Sequence, residues 1–425
     1  MSSRFSTMHQ WLQWQETLHP VTIDLGLDRV SRVYAQMGSV PLAPVVVIVS
    51  GTNGKGSCVA LLEQIALYAG YSTGAYTSPH ILSYNERVRI NGKAVSDADF
   101  IAAFAAVDAA RGTESLTYFE FGTLAAFHIF TQRKRDFVVL EVGMGGRLDA
   151  TNIIDADAAL ITSIGLDHVQ WLGHTRDEIA REKAGVLRSG RPAVCGDPQP
   201  PAILLEIARN QQTELRCIDR DFSYQLGQGS WDWKGPDAQF HGLPLPRMQG
   251  AAQLRNAASV LMLLSQLAPR LPVGRAAIEQ GLQACMLPGR QQIVAQNPQI
   301  LIDVAHNAEA IAELVLRLEQ EPRRRTCAVF SMLRDKPVAE AVRQLKPHID
   351  AWYLAPVPTD RTLSAAELAR IVATETGIGS PRCFDSVTAA FDAARHDART
   401  EERILVIGSF WTAAEVLACC RAEGL

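Results

Sequence analysis

The segment GTNGKGS, residues 51–57, carries the residue types that bind a phosphoryl group, and it lies between a β-branched run and a helical pattern. Its glycines allow a tight turn that aims backbone N–H groups at an anion, and the helix N-terminus adds its positive end. Lys55 would contact phosphate oxygens, and Ser57 would offer a hydroxyl to Mg²⁺. The spacing differs from GxxxxGK[ST], because Gly56 separates the lysine from the serine. A glycine-rich turn without a ligand is the alternative.

An acid lies in the segment LEVGMGGRLDATN, residues 140–152, at the end of an apolar run. Glu141 would sit at the carboxyl end of a buried strand, where ligands of open α/β sheets bind. A buried carboxylate costs several kcal/mol unless a cation or a hydrogen bond compensates it. Mg²⁺ beside bound phosphate is one such partner. A backbone amide or Arg147 is the alternative.

Two further segments follow predicted strands and place polar side chains at the same sheet edge. TSPH, residues 77–80, contributes Ser78, and SIGLDHVQWLG, residues 163–173, contributes His168. His168 could bind a metal or hold a carboxylate, although a single histidine is often structural. Lys183, in REKAG, has by pattern alone the features of an exposed helix lysine.

In the second half of the chain, DVAHN, residues 303–307, ends a predicted strand with an acid, an imidazole and an amide. Arg290 lies shortly before it, near a predicted domain junction. An acid, a histidine and an arginine together suit a nucleotide and an anionic substrate. A plain turn at the end of a strand is the alternative.

Short apolar runs that alternate with helical patterns must position these groups, which predicts α/β architecture with parallel sheets covered on both faces. We expect one set of strands at residues 44–50, 137–142, 158–163 and 192–195, and a second set at 299–304, 327–330, 352–355 and 403–407. The LPGR segment interrupts the pattern, so we predict domains of residues 1–287 and 288–425. Residues 221–246 predict a small antiparallel excursion.

Composition excludes several functional classes. Lys and Arg total 41 against 45 for Asp and Glu, a net charge of −4, which argues against binding to nucleic acid or an anionic membrane. No apolar run approaches the roughly 20 residues of a membrane helix, and the N-terminus lacks the apolar region of a secretion signal. The eight cysteines form no CxxC pair, so we expect reduced thiols in a cytoplasmic protein and no cysteine nucleophile.

The order of these motifs resembles the folylpolyglutamate synthase family of the Mur ligase superfamily, in particular its bifunctional bacterial branch, which also has dihydrofolate synthase activity. The resemblance runs along nearly the whole chain, through DLGLDRV, GTNGKGS, YTSPHILSYNERVRING, TYFEFGTLAAF, LEVGMGGRLDATN, LDHVQWLG, REKAGV, LPGR, DVAHN, SMLRDKP and GSFWTAAEV. It implies a P-loop ATPase-type N-terminal domain and a smaller Rossmann-like C-terminal domain that closes over the first.

The resemblance also implies roles for individual residues. ATP would be bound by Gly54, Lys55, Gly56, Ser57, Asn256, Arg290 and Asp303. Two Mg²⁺ sites would use Ser57, Ser78, Glu141 and His168. Lys183 matches a lysine that is carbamylated in relatives, and Lys55, Lys183 and His306 would be catalytic. The pterin pocket would comprise Asp24, Leu25, Gly26, Leu27, Thr117, Tyr118, Phe119, Glu120, Leu148, Asp149 and Ala150.

The implied reaction is ATP-dependent ligation of L-glutamate to dihydropteroate and to reduced folates through an acyl phosphate, by a monomeric enzyme. A monofunctional folylpolyglutamate synthase is the main alternative, and a cell-wall amino-acid ligase or a P-loop ATPase switch are others. Two residues depart from the family pattern. Met144 replaces a common leucine, which changes little volume, and Ala308 replaces a common proline after His306 and Asn307, which predicts a looser turn beside His306.

Overall fold

The computed structural model describes residues 3–377 and 381–424, and the predicted outer limits of the domains, residues 1 and 425, lie outside this range. Contacts divide the chain into two units. The first comprises the described residues up to Arg247 together with Gln253–Cys285, and the second comprises Met248–Ala252 and the described residues from Met286 onward. The predicted domain boundary at residues 287/288 stays a prediction.

The first unit is built on an eight-stranded sheet in the order β4-β3-β2-β5-β1-β6-β7-β8. The pairs from β2 to β8 are parallel, whereas β3 and β4 add an antiparallel edge. The strands are β1 (Val45–Ser50), β2 (Thr73–Tyr76), β3 (Val88–Ile90), β4 (Lys93–Ala94), β5 (Phe137–Glu141), β6 (Ala158–Ile161), β7 (Pro192–Cys195) and β8 (Glu214–Cys217).

A separate three-stranded antiparallel sheet follows, as the pattern of residues 221–246 predicts. Its strands are β9 (Ser223–Leu226), β10 (Ser230–Lys234) and β11 (Gln239–Pro244). The helices of this part of the chain are α1 (Met8–Leu18), α2 (Asp28–Gln36), α3 (Lys55–Tyr68), α4 (Asp97–Arg111), α5 (Tyr118–Arg133), α6 (Val169–Leu172), α7 (Arg176–Ala184), α8 (Ala202–Asn210), α9 (Ala251–Leu267) and α10 (Arg275–Ala284).

The central strands of the first unit are buried on both faces, because every residue of β1 and β5 is buried. That is why their sequences are continuous apolar runs instead of alternating patterns. Helix α3 is also buried over most of its length. It packs closely on α10, where a Cβ at Gly281 would lie 2.5 Å from Ile65 Cγ1. The helix that follows the glycine-rich loop is therefore fixed against the sheet.

The second unit has a six-stranded sheet in the order β12-β13-β17-β14-β15-β16, parallel except for the β12–β13 pair. Its strands are β12 (Gln292–Gln296), β13 (Gln299–Ile302), β14 (Thr326–Phe330), β15 (Ala351–Leu354), β16 (Arg382–Cys383) and β17 (Arg403–Ile407). Its helices are α11 (Ala308–Gln320), α12 (Val338–Leu345), α13 (Ala365–Thr376), α14 (Val387–Asp397) and α15 (Phe410–Ala422).

The predicted α/β class is confirmed, and both predicted sets of strands are present. The prediction of parallel sheets was incomplete, because each large sheet has antiparallel pairing at one edge. These edge strands are short and partly exposed, so they lack the continuous apolar signal of the central strands.

Candidate active site

The glycine-rich loop between β1 and α3 is held in place by the segment that follows β6. Thr162 Oγ1 donates to the Asn53 carbonyl at 2.6 Å, and the Asn53 N–H donates to Ser163 Oγ at 3.0 Å. A Cβ at Gly51 would lie 1.8 Å from Thr162 Oγ1, so only glycine fits there. Gly54 has φ +88°, and a Cβ would lie 2.7 Å from Asn256 Oδ1. The structure thus brings the predicted residue Asn256 against the loop.

Lys55 and Ser57 lie in the first turn of α3, where the helix N-terminus favours an anion. Lys55 Nζ donates to the carbonyls of Gly51 and Thr52 at 2.9 and 3.2 Å, so it lies back over the loop. Ser57 is 1% exposed, and its Oγ has no hydrogen-bond partner among the described residues. A buried hydroxyl without a partner is costly, which suits a group that coordinates a cation when the site is filled.

Glu141 and Ser78 meet at the carboxyl edge of the neighbouring parallel strands β5 and β2. Glu141 is 5% exposed, and its Oε2 accepts a hydrogen bond from the Ser78 N–H at 3.1 Å. Arg147, one alternative partner for this acid, instead pairs with Glu182 at 2.8 Å. The same edge is tied to the glycine-rich loop, because Ser50 Oγ donates to the Gly145 carbonyl at 2.7 Å.

His168 comes immediately before α6, on the segment after β6 that also anchors the glycine-rich loop. It adopts a left-handed conformation with φ 50°, and its N–H donates to Asp167 Oδ1 at 2.8 Å. The four predicted metal-binding residues therefore lie at or after the carboxyl ends of β1, β2, β5 and β6, which are neighbours in the sheet. No three His, Cys, Asp or Glu side chains form a metal-binding group anywhere in the described chain. A cation here would depend on hydroxyls, single acidic and imidazole groups, and substrate oxygens.

Lys183 is buried, at 3% exposure, so the pattern-based prediction of an exposed helix lysine was wrong. The reason is that the end of α7 packs under the turn that follows Glu141. A Cβ at Gly146 would lie 2.8 Å from the Glu182 carbonyl and 3.0 Å from that of Lys183. The Arg147 backbone N–H donates to the same Glu182 carbonyl at 2.7 Å. Because most residues of α7 are polar, its sequence pattern gives no signal that Lys183 is buried.

The predicted pterin-pocket residues lie around the first turn of α5. Thr117 caps the helix, and Glu120 Oε2 accepts from both the N–H and the Oγ1 of Thr117 at 2.8 Å. Arg29, at the start of α2, joins Glu120 to Asp24, because it donates to both carboxylates. Arg29 was missed by the sequence analysis, although it lies in the DLGLDRV segment.

Other residues of the predicted pocket lie on the turn that follows β5 and in the first turn of α5. Phe119 packs on Gly143, where a Cβ would lie 2.6 Å from the ring, and Asp149 Oδ2 accepts from the Met144 N–H at 3.0 Å. Burial raises the pKa of Asp149. Ala150 is buried, whereas the half-buried residues of the set are Asp24, Leu25, Gly26, Leu27, Tyr118, Phe119 and Leu148.

In the second unit, Arg290, Asp303 and His306 lie together. Burial raises the pKa of Asp303, whose oxygens accept from the N–H groups of Gln291 at 2.9 Å and Ala305 at 2.6 Å. His306 Nδ1 lies 2.8 Å from the Val304 carbonyl and therefore donates to it. Phe410 contacts the Arg290 and His306 side chains, with the Arg290 guanidinium carbon 5.1 Å and the His306 ring centroid 5.8 Å from the centroid of its ring. Phe410 was also missed, because its side chain has no acid–base chemistry that would single it out.

Comparison with known proteins gives consistent matches over most of the chain. Residues 49–196 match the Mur ligase middle domain, and residues 289–410 match the Mur ligase glutamate ligase domain. The chain is 43% identical to the dihydrofolate synthase/folylpolyglutamate synthase of Escherichia coli strain K12, covering 97% of this chain and 95% of the relative. It is 37% identical to the Haemophilus influenzae protein of the same name, covering 96% and 97%.

Solved structures give the same result. The chain superposes on E. coli FolC in complex with DHPP and ADP with a TM-score of 0.95 and 42% identity, over 100% of both chains. It superposes on a bifunctional folylpolyglutamate synthase/dihydrofolate synthase with Mn, AMPPNP and L-glutamate bound with a TM-score of 0.91 and 44% identity, over 99% of both chains.

In the part of the chain that the structure describes, no helix is long and apolar enough to cross a membrane.

Proposed function

The chain belongs to the dihydrofolate synthase/folylpolyglutamate synthase family of Mur ligases, and from this membership we propose how its residues carry out the reaction. The protein is an ATP-dependent ligase that joins L-glutamate to dihydropteroate, which forms dihydrofolate, and to folates, which extends their glutamate tail. It uses ATP as substrate together with a divalent cation. The dihydrofolate synthase/folylpolyglutamate synthases of E. coli and H. influenzae share 43% and 37% identity with it, whereas the Lacticaseibacillus casei protein named folylpolyglutamate synthase shares 33%.

The first chemical step must activate a carboxylate, which is a poor electrophile. A carboxylate oxygen of the acceptor attacks the γ-phosphorus of ATP, the bond to the β-phosphate oxygen breaks, and ADP leaves. The amine of L-glutamate then attacks the acyl carbon and phosphate leaves. We propose that Lys55 leaves the carbonyls of Gly51 and Thr52 to neutralise the charge that develops on the transferred group, together with the N–H groups of Gly54, Gly56 and Ser57.

The observation that carries this proposal is the buried Ser57 hydroxyl without a hydrogen-bond partner among the described residues. It lies in the first turn of the helix that begins at Lys55, where the loop backbone already favours an anion. We propose that Ser57, Ser78, Glu141 and His168 hold Mg²⁺ in two sites, directly or through water. When bound, the cation supplies positive charge to the phosphate oxygens and orients them.

We propose that Lys183 acts as a carbamate. The ammonium group would first lose a proton, and the neutral amine would then add to carbon dioxide, which forms an N–C bond and releases a second proton, so a cation becomes an anion. Its position supports the proposal, because Lys183 is 3% exposed at the end of α7 and lies beside the turn that follows Glu141, where an anion could face a cation held by that acid. The carbamate would then support the second cation from the end of α7.

The other predicted assignments extend the site to its substrates. We propose that Asn256, Arg290 and Asp303 contact ATP and that His306 contacts the incoming glutamate. We assign the pterin pocket to the residues around the first turn of α5 and to Asp24, Leu25, Gly26 and Leu27. We also propose that the enzyme works in the cytoplasm, which its eight free cysteines support.

Phosphate release with ATP, Mg²⁺ and L-glutamate tests the function, with either dihydropteroate or tetrahydrofolate added. We expect release with both acceptors and none when glutamate is omitted. Release with tetrahydrofolate alone would leave a monofunctional enzyme, and release without any acceptor would contradict a ligase. Lys55→Ala should abolish turnover with both acceptors, whereas Lys234→Ala, an exposed lysine on β10, should not.

A further inference from the structure

The carboxylate of Asp24 is held on one side only. Its Oδ2 accepts a hydrogen bond from Arg29 Nη1 and lies 3.2 Å from His19 Nε2. Arg29 Nη2 also donates to the Asp24 backbone carbonyl. Oδ1 forms no hydrogen bond with any described residue, and the Asp24 side chain is 41% exposed. The carboxylate thus presents one unused acceptor in a fixed orientation.

Each of the two groups that hold Asp24 is itself anchored from behind. Arg29 Nε donates to Glu120 at 2.9 Å, and the Glu120 side chain is only 5% exposed. The His19 ring is 10% exposed, and its Nδ1 lies 3.0 Å from Ser115 Oγ. A carboxylate oxygen only accepts, so His19 Nε2 donates to Asp24 and Nδ1 faces the serine hydroxyl. Both supports therefore have a fixed direction.

An ionic network holds a loop to two helices with less net free energy than apolar packing could provide. Desolvating the Arg29 guanidinium and the Glu120 carboxylate opposes the gain from their attraction, and an apolar contact could join α2 to α5 at lower cost. What the network adds is orientation, because the arginine fork fixes the plane of the group that it binds. The oriented group is the half-exposed Asp24.

We propose that Arg29 and His19 are positioning residues that aim Asp24 Oδ1 at an N–H donor of the pterin ring of dihydropteroate. The inference rests on the proposed function, because it assigns recognition within the pterin pocket of that reaction. A 2-amino-4-oxopteridine offers N–H donors along one edge, and a carboxylate oxygen fixed toward them is a matched acceptor. Neither Arg29 nor His19 touches the substrate in this arrangement.

Arg32 supplies a matched control on the same helix. It lies three residues after Arg29 on α2 and pairs with Glu114 at 2.9 Å, so it also joins α2 to the segment before α5. Its side chain is 58% exposed and that of Glu114 is 37% exposed. If Arg29 had a structural role alone, its replacement should change the kinetic constants as little as replacement of Arg32 does.

The experiment compares steady-state constants for Arg29→Gln, Arg32→Gln, Asp24→Ala, the Arg29→Gln/Asp24→Ala double variant, His19→Ala and His19→Gln. We expect Arg29→Gln to raise the KM for dihydropteroate about 10- to 100-fold, with the KM for ATP and for glutamate and the unfolding midpoint unchanged. Arg32→Gln should match wild type. His19→Gln, which keeps a side-chain N–H donor, should lose less affinity than His19→Ala.

The double variant separates positioning from direct contact. If Arg29 acts through Asp24, its replacement adds nothing once the carboxylate is gone, so the double variant should have the KM of Asp24→Ala within about twofold. The proposal would be overturned if the increases in the KM for dihydropteroate multiplied in the double variant. It would also be overturned by an unchanged KM for dihydropteroate in Arg29→Gln, or by an equal increase in the KM for ATP. Titration of each variant with dihydropteroate alone, followed by tryptophan fluorescence, reports recognition without turnover. If wild type binds dihydropteroate but does not ligate it, the proposed function fails while the role of Arg29 can still be judged.

Discussion

At the scale of single residues, two buried serines near the glycine-rich loop differ in their hydrogen bonding. The Ser57 hydroxyl lacks a hydrogen-bond partner among the described residues, whereas the Ser50 hydroxyl donates to the Gly145 carbonyl at 2.7 Å. A residue kept in an unfavourable state in the empty protein is expected where binding supplies the missing interaction. The two serines therefore differ in what their hydroxyls contribute to stability.

Replacing each serine with alanine should reveal this difference. Ser57→Ala should leave the free energy of unfolding of the empty protein unchanged or raise it by about 1 kcal/mol, because an unsatisfied polar group is removed. Ser50→Ala should lower it by about 1 kcal/mol, because the Gly145 carbonyl loses its partner. Urea unfolding measures both. Ser57→Ala should also weaken the binding of Mg²⁺ and a non-hydrolysable ATP analogue in calorimetric titration. Destabilisation of the empty Ser57→Ala protein would show that the hydroxyl has a partner.

The second prediction at this scale concerns the proposed carbamate of Lys183. Lys183→Ala should lose ligase activity, and acetate or another short carboxylate should restore part of it, because a small anion can take the place of the carbamate. Phosphate release with increasing acetate measures the rescue. Lys55→Ala is the control, since it removes the cation that we propose to bind phosphate, and no carboxylate can replace a cation. An active Lys183→Ala variant, or equal rescue of both variants, would exclude the carbamate.

At the scale of elements, α3 connects the chemistry to the fold, and its two ends carry glycines in the same backbone conformation. Gly54 precedes the helix with φ +88°, and Gly70 follows it with φ +90°. A Cβ at Gly54 would lie 2.7 Å from Asn256 Oδ1, whereas a Cβ at Gly70 would meet no atom within 4 Å. The strain of a left-handed alanine is therefore common to both positions, and only Gly54 adds a clash at the proposed phosphate site.

The two alanine variants should separate these effects. Each should lose about 1 kcal/mol of stability from the left-handed conformation alone. Gly54→Ala should in addition lower kcat/KM for ATP roughly 100-fold, since a shift of about 1 Å in the loop misplaces the reacting groups. Gly70→Ala should keep the wild-type kcat/KM. Steady-state kinetics with varied ATP provide the measurement, and equal kinetic constants for the two variants would argue against close phosphate contact at Gly54.

The central elements were predictable because their signals are local. Strand β1 is a continuous apolar run followed by glycines, and β7 and β17 have the bounds that their sequences predict. The burial of Lys183 and the pairing of Arg29 could not be predicted from local sequence patterns. The burial of Lys183 arises from the distant turn at Gly146, and the partner of Arg29 lies 91 residues away on another helix. Contacts of that kind depend on packing between elements, which local patterns do not encode.

At the scale of the whole molecule, each unit has its own hydrophobic core. One core is centred on the β1 and β5 strands and includes Leu140, and the other is centred on β14 and β17 and includes Leu405. Both leucines are 0% exposed and lie on central strands of their sheets. They form a matched pair, because the same substitution removes the same volume from each core.

Leu140→Ala and Leu405→Ala should therefore weaken different parts of the chain. Each should cost about 2–5 kcal/mol, from lost burial and from the cavity left behind. Native-state hydrogen exchange should show faster exchange in β1, β2, β5 and β6 for Leu140→Ala, and in β13, β14, β15 and β17 for Leu405→Ala, with the other set little changed. If the units are separate domains, as the interruption near LPGR predicts, protection is lost one sheet at a time. Loss of protection in both sheets from either substitution would mean that the chain unfolds as one cooperative unit. The predicted boundary at residues 287/288 would then not separate two independently unfolding domains.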